Sequence, residues 1–219
     1  MARDFHLTGI WSHESWVNWL FFALATPVQF YTGWDYSSNG YYYITICTKN
    51  REWLFGNIVG EKIQLSAIGE IVLQGWNDSF VMRAELFCDQ FVIMPNHIHG
   101  IIIIEKPVHH AAVVETHGGA SLLEYPHEIK THGRASLPPY PSYRTPKSVS
   151  SFIAGFKSAV TKRVNEMRQT PGVPIWQSRF YDHIIRDEKS LQSIREYIVN
   201  NPMNWQEDKM NQLVPKKGV

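Results

Sequence analysis

His97 and His99 are separated by a single residue in the run His97-Ile98-His99. On a strand, alternate side chains project to the same side, so imidazoles at i and i+2 can both reach one divalent cation. The pair follows Pro95-Asn96 and opens the segment HIHGIIIIE, which is otherwise almost wholly apolar. Burial there is costly unless a cation or hydrogen bonds satisfy both rings. The chain holds ten histidines, so a chance His-x-His is ordinary, and both the metal pair and the hydrogen-bonded pair stay open. Tyr197 and Asn201 stand four apart in a helical pattern and so share a helix face. They could act as nucleophile and third metal ligand, or as a packed tyrosine and a helix cap. Asn200 competes with Asn201 for its role.

From Lys147 to Arg195 the chain carries nine basic residues against four acidic ones, a local net charge of +5. Trp176, Phe180 and Tyr181 interleave with them. Cations for backbone phosphates and aromatic faces for bases are what unpaired nucleic acid requires, which makes Lys157, Arg179, Arg186, Trp176 and Tyr181 candidate contacts. A solvated helix face over core aromatics is the competing reading.

The elements that must position these groups follow from periodicity. Residues Tyr41 to Thr48 (YYYITICT) are β-branched and aromatic after the turn Ser37-Ser38-Asn39-Gly40, which predicts a buried strand. Ile68, Ile71 and Val72 predict a helix around Leu65 to Leu73, with Gly69 and Gly75 weakening it. Val81 to Met94 and His97 to Glu105 read as two strands joined at Pro95-Asn96. Ser148 to Arg168 carries Phe152, Ile153, Phe156, Val160 and Val164 at helical spacing. Ile175 to Ile185 is extended. Asp187 is set to cap a last helix that Pro202 ends. The order β-α-β-β-α-β predicts an α+β, ferredoxin-like antiparallel sheet with helices on one face, plus a C-terminal helix carrying Tyr197 on the open face.

Composition bounds the remainder. Of 219 residues, 44% are hydrophobic and 19% charged, which excludes a disordered chain, and the net charge of +1 excludes a globally basic coat. Cys47 and Cys88 lie in apolar segments and read as reduced core thiols of a cytoplasmic protein. Trp16 to Tyr31 is apolar but interrupted by Asn18, Thr26, Pro27 and Gln29, so no membrane span is expected. The segment from 106 to 147 is rich in Gly, Pro, Ser and His and repeats Thr116-His117-Gly118 as Thr131-His132-Gly133. It reads as a flexible insertion. The chain therefore divides into an N-terminal extension (1–35), one domain (36–205) containing that insertion, and a C-terminal tail (206–219).

Three segments carry a resemblance. Phe91-Val92-Ile93-Met94-Pro95-Asn96-His97-Ile98-His99-Gly100, Trp176-Gln177-Ser178-Arg179-Phe180-Tyr181-Asp182-His183-Ile184-Ile185-Arg186 and Tyr197-Ile198-Val199-Asn200-Asn201-Pro202 resemble the REP-associated tyrosine transposases. These are single-tyrosine HUH transposases, named for His-hydrophobic-His. The match runs from about Tyr36 to Trp205. The first 33 residues and the repeat-bearing insertion depart from the pattern. The resemblance implies the ferredoxin-like sheet and the cleavage and rejoining of single-stranded DNA near hairpins through a 5′-phosphotyrosine. It implies Tyr197 as nucleophile, and His97, His99 and Asn201 as ligands of Mg²⁺ or Mn²⁺. Expected partners are single-stranded or hairpin DNA, with no membrane, and a monomeric or homodimeric protein. Two alternatives remain: a hairpin-binding protein without cleavage, and a zinc hydrolase, for which the sequence lacks both HExxH and an obvious third His or Cys ligand.

Overall fold

A computed structural model describes residues 34–106 and 146–212. The expected N-terminal extension, most of the insertion and the last seven residues lie outside the described residues.

Strands β1 (Gly40–Cys47), β4 (Leu86–Met94), β5 (His97–Ile104) and β6 (Tyr181–Ile185) form one antiparallel sheet in the order β4-β5-β1-β6. Two more strands, β2 (Gly56–Val59) and β3 (Lys62–Leu65), pair as a separate hairpin. Helix α1 (Ala67–Val81) follows β3, and α2 (Val149–Arg168) precedes β6. Helix α3 (Glu188–Asn200) and the single turn α4 (Lys209–Gln212) complete the described chain. The sheet order and the two crossovers are those of the split β-α-β unit, and the ferredoxin-like α+β architecture stands.

Alternation along the strands divides the sheet into two faces. Tyr42, Ile44 and Ile46 of β1 and Ile98, Ile102 and Ile104 of β5 pack with Val72 and Trp76 of α1 and Phe152, Phe156 and Val160 of α2. Full burial of each large aliphatic side chain is worth about 1.5–3 kcal/mol, so this layer supplies most of the fold's stabilisation. The opposite parity, Tyr43 of β1 and Ile101 of β5, meets Leu191, Ile194 and Ile198 of α3. The stripe of Leu191, Ile194 and Ile198 is therefore the surface that docks α3 across the open face.

The helix starts are chemically marked. Ser66 accepts a hydrogen bond from the Gly69 amide at 3.1 Å. Ser148 and Ser151 form a reciprocal capping box. Asp187 caps α3 by accepting from the Ser190 amide at 2.8 Å. Each such cap is worth about 1 kcal/mol.

Four boundaries differ from the sequence reading, and the first is the strand read from Val81, which begins only at Leu86. Helix α1 runs to Val81 and not to Leu73, because Gly75 does not interrupt it. A Cβ at Gly75 would lie 2.7 Å from Val160 Cγ2, so the glycine lets α1 and α2 approach closely. The segment read as extended from Ile175 is a strand only from Tyr181, with Trp176 making a single bridge to Thr48. Residues beyond 205 are not simply a tail. Met210 is buried with Cys47, Met94 and Trp205 in a third apolar cluster, and Asn211 donates to the Trp205 carbonyl at 3.0 Å.

Among the described residues, no helix is long and apolar enough to cross a membrane.

Candidate functional site

The site lies between the sheet and the C-terminal end of α3. In β5, His97 and His99 occupy the parity that faces α3, and both rings are 0% exposed. Their Nε2 atoms face each other at 3.0 Å. Burial pushes the His97 pKa well below the usual histidine value, helped by the neighbouring His99 and by Arg51. Burial also pushes His99 down to about 3. Both rings are therefore neutral at physiological pH, the form in which imidazole ligates metals.

The far side of each ring is held. Asn96 Oδ1 lies 2.7 Å from His97 Nδ1, while Asn96 Nδ2 donates to the carbonyls of Arg51 (3.3 Å) and Met210 (3.0 Å). Those two donations fix the amide, so His97 Nδ1 must carry the proton and Nε2 the lone pair. At His99, the hydroxyls of Tyr43 and Thr45 each lie 2.8 Å from Nδ1, and Thr45 Oγ1 donates to Tyr43 Oη at 3.2 Å. Hydroxyls donate or accept, so this pair can serve either tautomer of His99. With His97 Nε2 unprotonated, a proton on His99 Nε2 completes the hydrogen bond between the rings in the metal-free protein.

Helix α3 brings the other two residues. Tyr197 Oη stands 3.4 Å from His99 Nε2, and the two rings meet edge to face with centroids 5.3 Å apart. Asn201, the C-cap of α3, is 3% exposed. Its side chain hydrogen-bonds the Tyr197 phenol, yet its Oδ1 is buried with no hydrogen-bond partner. The NH₂ group therefore makes the contact. The Tyr197 pKa is pushed upward, first by burial and then by the Asp208 carboxylate, while Asn201 opposes the shift. The salt bridge from Arg195 to Asp89, with both N···O contacts at 2.8 Å, ties α3 to β4 beside a register shift between Cys88 and Phe91.

The donor set fits a divalent cation on these observations. Two neutral Nε2 atoms converge, and a buried amide oxygen on the helix that supplies Tyr197 has nothing to accept from. Among the described residues no group of three or more His, Cys, Asp or Glu converges. Cys47 pairs with His97 in the sheet register, but burial raises its thiol to about 11. The thiolate-rich or three-histidine set of a zinc site is not assembled.

The candidate contacts for nucleic acid separate into two groups. Arg179 and Arg186 are exposed, with Arg186 lying 5.8 Å over the Trp34 ring. Trp176 and Tyr181 are only 6% and 9% exposed. Trp176 packs on Phe55 and Phe156, and Tyr181 meets Tyr43 edge-on. Both rings are core, which corrects the expectation that they stack on bases. Lys157 is also corrected in part. Its ammonium donates to the carbonyls of Gln177 and Ser178, the second at 3.3 Å, so it fastens the segment before β6 to α2.

Several site residues were not singled out from sequence. Tyr43 and Thr45 share the parity of the two histidines, but only strand pairing brings them to His99, Thr45 directly opposite and Tyr43 two positions further along, opposite Ile101. Asn96 was read as a turn residue alone. Arg51, Trp205 and Asp208 reach the site through loops and carry no local pattern.

No protein-family model matches the chain. Among solved structures, it is similar to a REP-associated tyrosine transposase bound to a REP hairpin, with a TM-score of 0.46 and 16% identity over 83% of this chain and 86% of that one. The sequence is 36% identical over 177 residues to an uncharacterized protein of Haemophilus influenzae, covering 81% of this chain and 88% of that protein. The chain belongs to the same family as that Haemophilus influenzae protein.

Proposed function

We propose that the protein cleaves and rejoins single-stranded DNA, with Tyr197 as nucleophile and His97, His99 and Asn201 holding Mg²⁺ or Mn²⁺. The observation that carries this reading is the buried, unpartnered Asn201 Oδ1 on the helix that sets Tyr197 Oη 3.4 Å from His99 Nε2. A cation bound there would polarise the scissile phosphate and draw negative charge from its oxygens. Of the two metals, Mn²⁺ suits a mixed imidazole and amide set better, since Mg²⁺ prefers oxygen throughout.

The protein's own residues supply position and proton control. Asn96 keeps the lone pair of His97 on Nε2. Thr45 and Tyr43 accept the proton of His99 at Nδ1 when its Nε2 must be free. Burial and Asp208 keep the Tyr197 phenol protonated at rest, so the nucleophile is held inactive until its proton leaves. In the reaction the Tyr197 Oη–P bond forms and the P–O3′ bond breaks. The phenol loses a proton and the departing 3′ oxygen gains one, giving a 5′-phosphotyrosine and a free 3′-OH. The ester conserves the bond energy, so the 3′-OH can reverse the step and rejoin strands without ATP. DNA partners are unpaired or hairpin-flanking strands, approached through exposed cations such as Arg179 and Arg186.

The test is incubation with labelled single-stranded DNA and Mg²⁺ or Mn²⁺, followed by denaturing electrophoresis. A metal-dependent covalent adduct that maps to Tyr197 is the expected result. Cleavage without an adduct would assign the nucleophile to water, and binding without cleavage would leave a hairpin-binding protein.

A further inference from the structure

The loop after β1 shows two uncommon features. Asn50 and Arg51 both adopt left-handed backbone conformations, with φ of 54° and 56°. Consecutive non-glycine residues in this region are uncommon, and such strain gathers at functional sites. Two residues later Trp53 is 46% exposed, although an indole of this size is ordinarily drawn inward.

Trp53 is not placed at random. Its ring meets Trp205 at 5.7 Å and 58°, and Trp205, itself buried, meets His97 at 6.0 Å and 42°. A ladder of rings thus runs from the histidine pair to the surface. Asn96 accepts the loop into the same network by donating to the Arg51 carbonyl. Arg51 packs against Met210 and acts electrostatically on both His97 and Asp208. Lys49 beside it is exposed.

We propose that Trp53 is a stacking platform for an unpaired nucleobase flanking the phosphate that Tyr197 attacks. The proposal rests on the DNA-cleavage reading above. Two ring-to-ring steps separate Trp53 from His97, and a stacked nucleotide adds about 3.4 Å along a strand, so the base lies within roughly three nucleotides of the reacting phosphate. Arg51, which contacts Met210 and whose charge acts on His97, sets positive potential at the inner end of this ring ladder, which favours a polyanion over an apolar protein segment. The contact is sequence-tolerant, because every base has a π-face. It also replaces the stacking that buried Trp176 and Tyr181 cannot provide.

The experiment uses the full chain and two probes of equal charge, dT20 and a 20-unit abasic strand, with affinities read by fluorescence anisotropy. Wild type should prefer dT20. Trp53→Leu keeps the apolar contact with Trp205 but removes the π-face, and should lower that preference at least about five-fold while leaving abasic binding within two-fold. Trp53→Phe should restore most of the preference. Thermal melts confirm that both variants fold. An unchanged dT20 preference in Trp53→Leu overturns the proposal, and if wild type still forms the Tyr197 adduct, the cleavage reading survives it. Failure of wild type to bind either probe overturns both.

Discussion

Asn96 Oδ1 accepts from His97 Nδ1 at 2.7 Å while the same amide's NH₂ spans the carbonyls of Arg51 and Met210. One fully buried turn residue thereby sets the tautomer of a candidate ligand and joins three separate stretches of chain. Asn96→Ala should strip the partner from His97 and take a donor from the buried Met210 carbonyl and the partly buried Arg51 carbonyl. We expect a stability loss of about 2–4 kcal/mol by denaturant titration, and 10- to 100-fold weaker Mn²⁺ binding, the usual cost of deleting an outer-shell partner. Mn²⁺ affinity unchanged in the folded variant would show that His97 needs no such orienter.

Asn201→Leu removes an oxygen that makes no hydrogen bond and replaces it with an apolar group of similar size. In metal-free buffer the melting temperature should stay nearly level, because losing the NH₂ contact to the Tyr197 phenol offsets the relief of a buried unsatisfied acceptor. The wild-type protein should be stabilised by added Mn²⁺ through mass action, and the variant should lose most of that increment. An equal metal-induced shift in both proteins would remove Asn201 from the ligand set.

Tyr197→Phe deletes one hydroxyl whose distance to His99 Nε2 is a long 3.4 Å. The same hydroxyl accepts from the buried Asn201 NH₂, which Phe would leave unpaired, so stability should fall by about 1–3 kcal/mol. Adduct formation should cease, as judged on denaturing gels. An adduct that persists on another residue would reassign the nucleophile within the same reaction class.

Asp208 raises the phenol pKa through its charge, after burial as the larger cause. A nucleophile with an elevated pKa gives a rate that climbs with pH until the phenol ionises. Asp208→Asn lowers that pKa, so the rising limb of the pH–rate profile should move to lower pH and cleavage at pH 7 should quicken. A limb that stays in place would assign it to a different group.

Arg179→Ala should weaken binding to single strands and reduce the salt slope by about 0.7 per lost phosphate contact. Lys157→Ala should act differently. Its ammonium is engaged with the Gln177 and Ser178 carbonyls, so the loss should appear in the melting temperature at least as much as in affinity.

Long, strongly periodic segments were legible from sequence. The stripe of Phe152, Phe156, Val160 and Val164 specified α2, and the parity of His97 and His99 specified which sheet face they share. The β2–β3 hairpin was not legible. Ile63 stands close before the helical run of Ile68 and Val72 and marks no strand by itself, while the true signal lay in the turn. There Gly60 and Glu61 both take positive φ, 54° and 64°. That geometry usually announces itself as Asn-Gly, and here the glycine comes first. Within the site, the residues that could ligate or attack were visible by type and spacing. Tyr43, Thr45, Asn96 and Asp208 were not, because each acts through partners brought close only by strand pairing or by the return of the chain after α3.

That return has a consequence for the protein's synthesis. His97 and His99 lie in the first half of the chain, Tyr197 is 98 positions after His99, and the Met210 carbonyl that steadies Asn96 is 114 positions after it. A chain still emerging from the ribosome, or one cut short before α3, has the histidine pair but neither the hydroxyl nor the amide that completes the constellation. The proposed constellation is thus complete only once α3 and Met210 have been made, after the sheet that confines it has had the chance to close.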